Sequence, residues 1–263
     1  MARNDLTQWL YDRDPKTFVV YEAKRWLMAP ARKDQDYGPA LFMDLRETAG
    51  AVADAPLGRD YNLMVAESLA TTGQLPLIVV WFHGGKPIDS MSNFKVFMFH
   101  SGGWDGGQLL SSNDFHSRFF PGTGGASKKI NIRASNVYHE WQRRVLPDSY
   151  VFHDLDVIIA RGPPGSSGRP FAVLEHKQSF ALPEEWNKTD YMTRDAENYR
   201  AELKLAETLG LLPCAVYHCY KERVGEDAPL GVFRITRVMG KKVDRTAKFC
   251  SAGEFAADPW QFL

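Results

Sequence analysis

The spacing of apolar and polar residues changes from block to block along this chain, and each spacing predicts an element. Residues 61–72 place Leu63, Met64, Ala66, Leu69 and Ala70 on one side of a 3.6-residue repeat and predict a helix. The next run, 75–82, is continuously apolar, as in a strand covered on both faces. Residues 94–100 predict another strand, and glycine-rich stretches at 101–107 and 122–127 read as loops. The second of these loops sets the expected boundary between a domain at 1–125 and one at 126–263. In the second half, Val137, Trp141 and Val145 are four apart and predict a helix over 134–145. A strand at 150–160, a turn-rich loop at 162–168 and a returning strand at 170–177 follow. A helix over 194–209 ends at Gly210, a good terminating residue, and strands are expected at 212–219 and 231–238. Near the start, residues 17–22 predict a strand followed by a long polar, proline-containing connection.

Two segments echo each other. Ala66-Glu67-Ser68-Leu69-Ala70, Gly73 and the strand from Leu75 have a counterpart in Leu205-Ala206-Glu207-Thr208-Leu209-Gly210 and the strand from Leu212, with Pro76 and Pro213 in register. Asp114-Phe115 and Glu254-Phe255 extend the echo, and Tyr21-Glu22-Ala23-Lys24 resembles Leu174-Glu175-His176-Lys177 at a different spacing. The pattern predicts either two related copies or two unrelated helix-then-strand units of similar composition.

Composition narrows the class. The chain has 263 residues, enough for one large domain or two small ones, and its 32 basic and 32 acidic residues balance. That balance argues against a protein that coats nucleic acid non-specifically, but a local basic patch would suffice for a specific one. Lys128, Lys129, Arg133, Arg143 and Arg144 are such a patch or a solvated face. Three cysteines, Cys214, Cys219 and Cys250, argue against a disulfide framework and fit a reducing cytoplasm. No signal peptide or membrane-spanning run is read from the sequence.

The chemistry concentrates in two strands. Asp154 and Asp156 open an apolar run, and Glu175 and Lys177 close another, with the turn-like 162–168 between them. A hairpin centred near Gly165 and Ser166 puts Asp156 opposite Glu175. Alternation puts Glu175 and Lys177 on one face and His176 on the other. Carboxylates brought together repel and resist burial, and a divalent cation relieves both costs. Hard oxygen donors suit Mg²⁺ or Mn²⁺.

At these residues the chain resembles the PD-(D/E)XK nuclease superfamily. Asp156 matches its first acid, Glu175-His176-Lys177 its second motif, and the helix and strand that follow match its element order. The resemblance covers about two fifths of the chain. It implies a restriction-endonuclease-like α/β fold, a mixed β-sheet flanked by helices. It also implies Mg²⁺ or Mn²⁺ held by Asp156 and Glu175, Lys177 assisting the attack of water, and DNA as substrate, with RNA open. Asp154 is an alternative to Asp156. Glu140, on the preceding helix, falls where family members often add a glutamate. Pro147-Asp148 lies too early to be the motif.

A second site is read in the first half, with Asp5 just before a strand at 6–11 and opposed to Glu22 across a hairpin, and Lys24 following. It would be active, decayed or an ordinary strand pair. The competing reading for the whole protein is a non-catalytic nucleic-acid-binding or assembly protein on the same fold. A homodimer or the internal repeat could supply the two sites that cutting both strands requires.

Overall fold

A computed structural model describes residues 5–21, 24–100, 103–122, 137–161, 169–187, 191–219 and 224–263. The chain divides into two compact units, Glu22–Phe152 and Ala2–Tyr21 with His153–Leu263. In chain order the elements are α1 (Asp5–Arg13), β1 (Phe18–Val20), β2 (Arg25–Met28), β3 (Ala31–Arg32), β4 (Gly38–Pro39), β5 (Phe42–Thr48), α2 (Tyr61–Gly73), β6 (Leu77–His83), β7 (Asn93–His100), β8 (Gly103–Trp104), β9 (Gln108–Ser111), α3 (Ser112–Phe119), α4 (Val137–Val145) and β10 (Tyr150–Val151). The second unit continues with β11 (Val157–Arg161), β12 (Arg169–Ser179), α5 (Pro183–Trp186), α6 (Ala196–Leu209), β13 (Leu212–Cys219), β14 (Pro229–Met239), β15 (Lys242–Ser251) and α7 (Ala252–Ala257).

The first unit holds a mixed sheet in the order β2-β5-β6-β7, with β8 and β9 both beside β7. β5 and β6 run parallel, so a crossover must join them, and α2 is that crossover. Asp60 starts α2 by accepting the Leu63 N–H at 2.9 Å, and Gln74 ends it in the left-handed conformation. Leu63, Val65, Ala66 and Leu69 of α2 are buried. Tyr138 and Trp141 of α4 pack in this unit against Phe82, Phe94 and Phe115. β10 pairs with β3.

The second unit is a six-stranded mixed sheet, β1-β11-β12-β13-β14-β15, in which only β12 and β13 are parallel neighbours, joined by α6. One face buries Leu6 and Leu10 of α1 and Phe255 of α7 with Val157, Ile159, Leu174 and Val216. The other buries Trp186, Tyr199, Ala215, Tyr217 and Phe233 beneath α5 and α6, with Trp186 stacked on Tyr217 at 3.5 Å between centroids. Cover on both faces explains the apolar runs of β12 and β13. All three cysteines are free thiols. Among the described residues, no helix is long and apolar enough to cross a membrane.

Several expectations are corrected. Residues 6–11 are helical, not a strand: Leu6 and Leu10 sit one turn apart and face the core, and no hairpin with β1 forms. The boundary lies at 152/153 instead of 125/126. Residues 5–21 join the second unit because β1 pairs with β11, Phe18 opposite Ile159. The expected strand at 150–160 divides into β10 and β11, one in each unit. The supposed polar connection before residue 61 contains β2 to β5. The apolar run of β5 is broken by Asp44 and Arg46, which nevertheless remain buried.

Candidate active site

β11 and β12 pair antiparallel with Val157 opposite Leu174, which puts Asp156, one residue earlier, against Glu175. Asp156 Oδ2 accepts the His176 amide at 2.8 Å, so the carboxylate is tied to the backbone of the strand it faces. The alternation of β12 turns Glu175 and Lys177 toward α6. Lys177 Nζ lies 2.5 Å from Glu175 Oε1 and 3.0 Å from Asp195 Oδ2, at the N-cap position of α6. His153 Nδ1 lies 3.8 Å from Glu175 Oε2, and the imidazole is buried. Glu202 of α6 is fully buried, and its carboxylate makes no well-formed hydrogen bond, with only the Cys214 backbone amide close enough to favour its charge.

The electrostatics follow from crowding. Burial first, and then the charge of Glu175, hold the Asp156 carboxyl well above the usual carboxylate range. Burial and Glu175 do the same to Glu202, with Asp156 adding to it. Burial works against the charge on Lys177, but Glu175 and Asp195 outweigh it and keep the ammonium more firmly protonated than a free lysine. Burial lowers His153 despite the carboxylate beside it, so the ring is neutral. One firmly held cation therefore sits among Asp154, Asp156, Glu175, Asp195 and Glu202, and the acid side is in excess.

Of the residues expected from sequence, Asp156, Glu175 and Lys177 come together. Asp154, in an isolated bridge before β11, adds to the field that raises Asp156. Glu140 belongs to the first unit, where its carboxylate lies 3.9 Å from Arg144 on the same helix. Asp5 begins α1, Glu22 lies outside the described residues, and Lys24 is exposed with Nζ 3.7 Å from Glu47. The proposed Asp5–Glu22 hairpin therefore does not exist. Lys128, Lys129 and Arg133 also lie outside the described residues, while Arg143 and Arg144 are on α4. His176 points to the opposite face, where Nε2 meets His218 Nδ1 at 2.9 Å.

Asp195, His153 and Glu202 were not anticipated. Glu202 had a signal: it falls on the stripe of Tyr199, Leu205 and Leu209 that α6 buries, where an acid is out of place.

Among the described residues, no three His, Cys, Asp or Glu side chains stand arranged to hold a metal ion. The donor chemistry nevertheless suits a hard divalent cation: after burial, the charge of Glu175 raises both the Asp156 and the Glu202 carboxyl, and Glu202 makes no well-formed hydrogen bond. Comparison with known proteins returns no matching family model, no matching curated protein and no matching solved structure, so a functional reading rests on these residues and their geometry.

Proposed function

We propose that the second unit is a metal-dependent phosphodiesterase that hydrolyses DNA. The observation that carries this reading is the convergence of Asp156, Glu175 and Lys177 beside the fully buried Glu202. The element order after the acids supports it: β11 and β12 pair antiparallel, α6 crosses over and β13 runs parallel to β12, in the order that the sequence resemblance implies, although the helix in front of them is α1 and not the expected helix at 134–145.

Asp156 and Glu175 would hold Mg²⁺ or Mn²⁺, with Glu202 within the same field of charge. When bound, the cation supplies Lewis acidity toward a phosphate and lowers the pKa of adjacent water. The remaining work belongs to this chain. Lys177 is held protonated, so it acts as a positive charge that orients a phosphate oxygen and stabilises charge developing there, not as the base. Asp195 fixes that ammonium from the start of α6. The His176 amide holds Asp156 in place, and neutral His153 closes the space beside Glu175 without adding charge. Nothing in this set reads the sugar, so RNA is tested beside DNA.

The test is cleavage of linear, circular and single-stranded DNA with Mg²⁺ or Mn²⁺, against EDTA, for wild type, Glu175→Ala and Lys177→Ala. Metal-dependent cutting lost in both variants supports the assignment. A folded wild-type protein that cuts no DNA or RNA overturns it in favour of a non-catalytic binding role.

A further inference from the structure

The two sheets share a construction. In each, a helix with a left-handed cap (Gln74 for α2, Gly210 for α6) joins two parallel strands. In each, a serine N-cap (Ser111, Ser251) accepts the amide of an acid three residues on (Asp114, Glu254), and the helix it starts buries a phenylalanine (Phe115, Phe255). The first amide of that helix, Ser112 or Ala252, donates at 2.8 Å to Ser92 O or Ala228 O in the same relative place. A helix and a strand of matching size precede each set. However, α1 and β1, which precede the first sheet in sequence, belong to the second unit, and α4 and β10, which precede the second, belong to the first.

Alignment on the two helix caps makes Val79 of β6 the counterpart of Ala215 of β13. Their parallel partners are Asp44 and Glu175, and two residues further on stand Arg46 and Lys177. The first unit's version of Glu175-His176-Lys177 is therefore Asp44-Leu45-Arg46, not the segment at Glu22. Its surroundings are inverted. Asp44 is fully buried, with Arg25 Nε and Nη2 on its two oxygens at 2.8 and 2.5 Å and Arg46 Nη2 on Oδ2 at 2.8 Å. Opposite Asp44, where the second unit has Asp156, β2 has Leu27. Arg25 also reaches Asp60 through Nη1 at 2.5 Å, so two acids share two guanidiniums and no surplus negative charge is left for a cation.

We infer that the chain is an internal duplication whose halves exchange their first helix and strand, and that the arginine-sealed copy is inert. One reaction centre then acts, and each encounter with duplex DNA breaks one strand. This rests on the nuclease reading of the second unit.

Supercoiled plasmid with excess enzyme and Mn²⁺ is the test, paired with Mn²⁺ titration calorimetry without DNA. The expected result is near-complete conversion to open circles before linear molecules appear. Mn²⁺ binding should be abolished by Glu175→Gln and remain within about twofold of wild type in Asp44→Asn. Linear product forming from the earliest time in step with loss of supercoil overturns the single-centre inference while leaving the nuclease reading standing. So does Mn²⁺ binding weakened by Asp44→Asn in a protein whose circular dichroism matches wild type. No cleavage of any form, with no Mn²⁺ heat, removes the nuclease reading and this inference together.

Discussion

Replacing Glu202 by glutamine should stabilise the metal-free protein at alkaline pH and do little at acid pH. Glu202 is fully buried with no well-formed hydrogen bond, and burial and Glu175 raise its carboxyl well above the ordinary range against the opposing pull of Lys177 and the Cys214 amide. An acid with a raised folded-state pKa binds more protons folded than unfolded, so its contribution is most favourable below the unfolded pKa. The contribution is lost as pH rises from there toward the folded pKa. Taking 4.5 for the unfolded chain, a carboxyl that stays protonated in the fold forgoes about 1.4 kcal/mol per pH unit above that value, which sets a ceiling near 5 kcal/mol at pH 8. The buried amide left by Glu202→Gln would itself lack partners, but that loss, about 1–3 kcal/mol, applies to the protonated acid as well and largely cancels. The expected gain at pH 8 is therefore about 1–5 kcal/mol, falling to within about 0.5 kcal/mol at pH 4. Urea unfolding at both pH values in EDTA, followed by tryptophan fluorescence and circular dichroism, measures it. Added Mn²⁺ should narrow or reverse the gain, because the cation stabilises the wild type by mass action and the glutamine variant less. Equal destabilisation at both pH values would refute the reasoning, since it would mean that the carboxyl has a neutral hydrogen-bonding role.

Other consequences are checked more simply. Lys177→Ala should lower cleavage by about 100-fold or more with KM for DNA changed little, since the ammonium acts on charge that develops in the transition state. Mn²⁺ affinity should fall on acidification at a pH above that at which an ordinary carboxylate (about 4) titrates, because Asp156 must lose a proton that burial and Glu175 help it keep; calorimetry from pH 8 down to 5 follows it. Arg25→Ala should cost about 3–5 kcal/mol in urea unfolding, because it strips one guanidinium from a fully buried carboxylate. Ser251→Ala should cost about 1 kcal/mol, the value of the capping box it forms with Glu254.

The parts of the fold legible from sequence were those whose pattern is local. α2, α6 and β13 announce themselves by period, and the antiparallel pairing of β11 and β12 follows from two apolar runs on either side of the glycine- and proline-rich stretch 162–168, which lies outside the described residues. The register that sets Asp156 against Glu175 needed only alternation. What stayed hidden depends on partners far along the chain. α1 was misread because a six-residue segment with Leu6, Trp9 and Leu10 fits either period, and only its seat beside Phe255 settles it. β5 is hidden because Asp44 and Arg46 look like surface charges, and only the folded chain brings Arg25, nineteen residues earlier, to share the buried Asp44 with Arg46. Asp195 and His153 reach Glu175 and Lys177 through tertiary packing alone, and no spacing rule points to either.

The placement of β1 beside β11 has a consequence for synthesis. Phe18 leaves the ribosome roughly 140 residues before Ile159, the residue it pairs with. At about 5–20 residues per second, α1 and β1 must wait about 7–28 seconds for their sheet. Through that interval Leu6 and Leu10, later sealed in the core, have only Phe18 and Val20 of their own unit's apolar core beside them. The first unit meets the mirror delay, since α4 and β10 follow the strands they complete. The nascent chain therefore offers a long window to a holding chaperone, and final closure of the second sheet, a contact of very high sequence separation, is the step at which folding should be slowest.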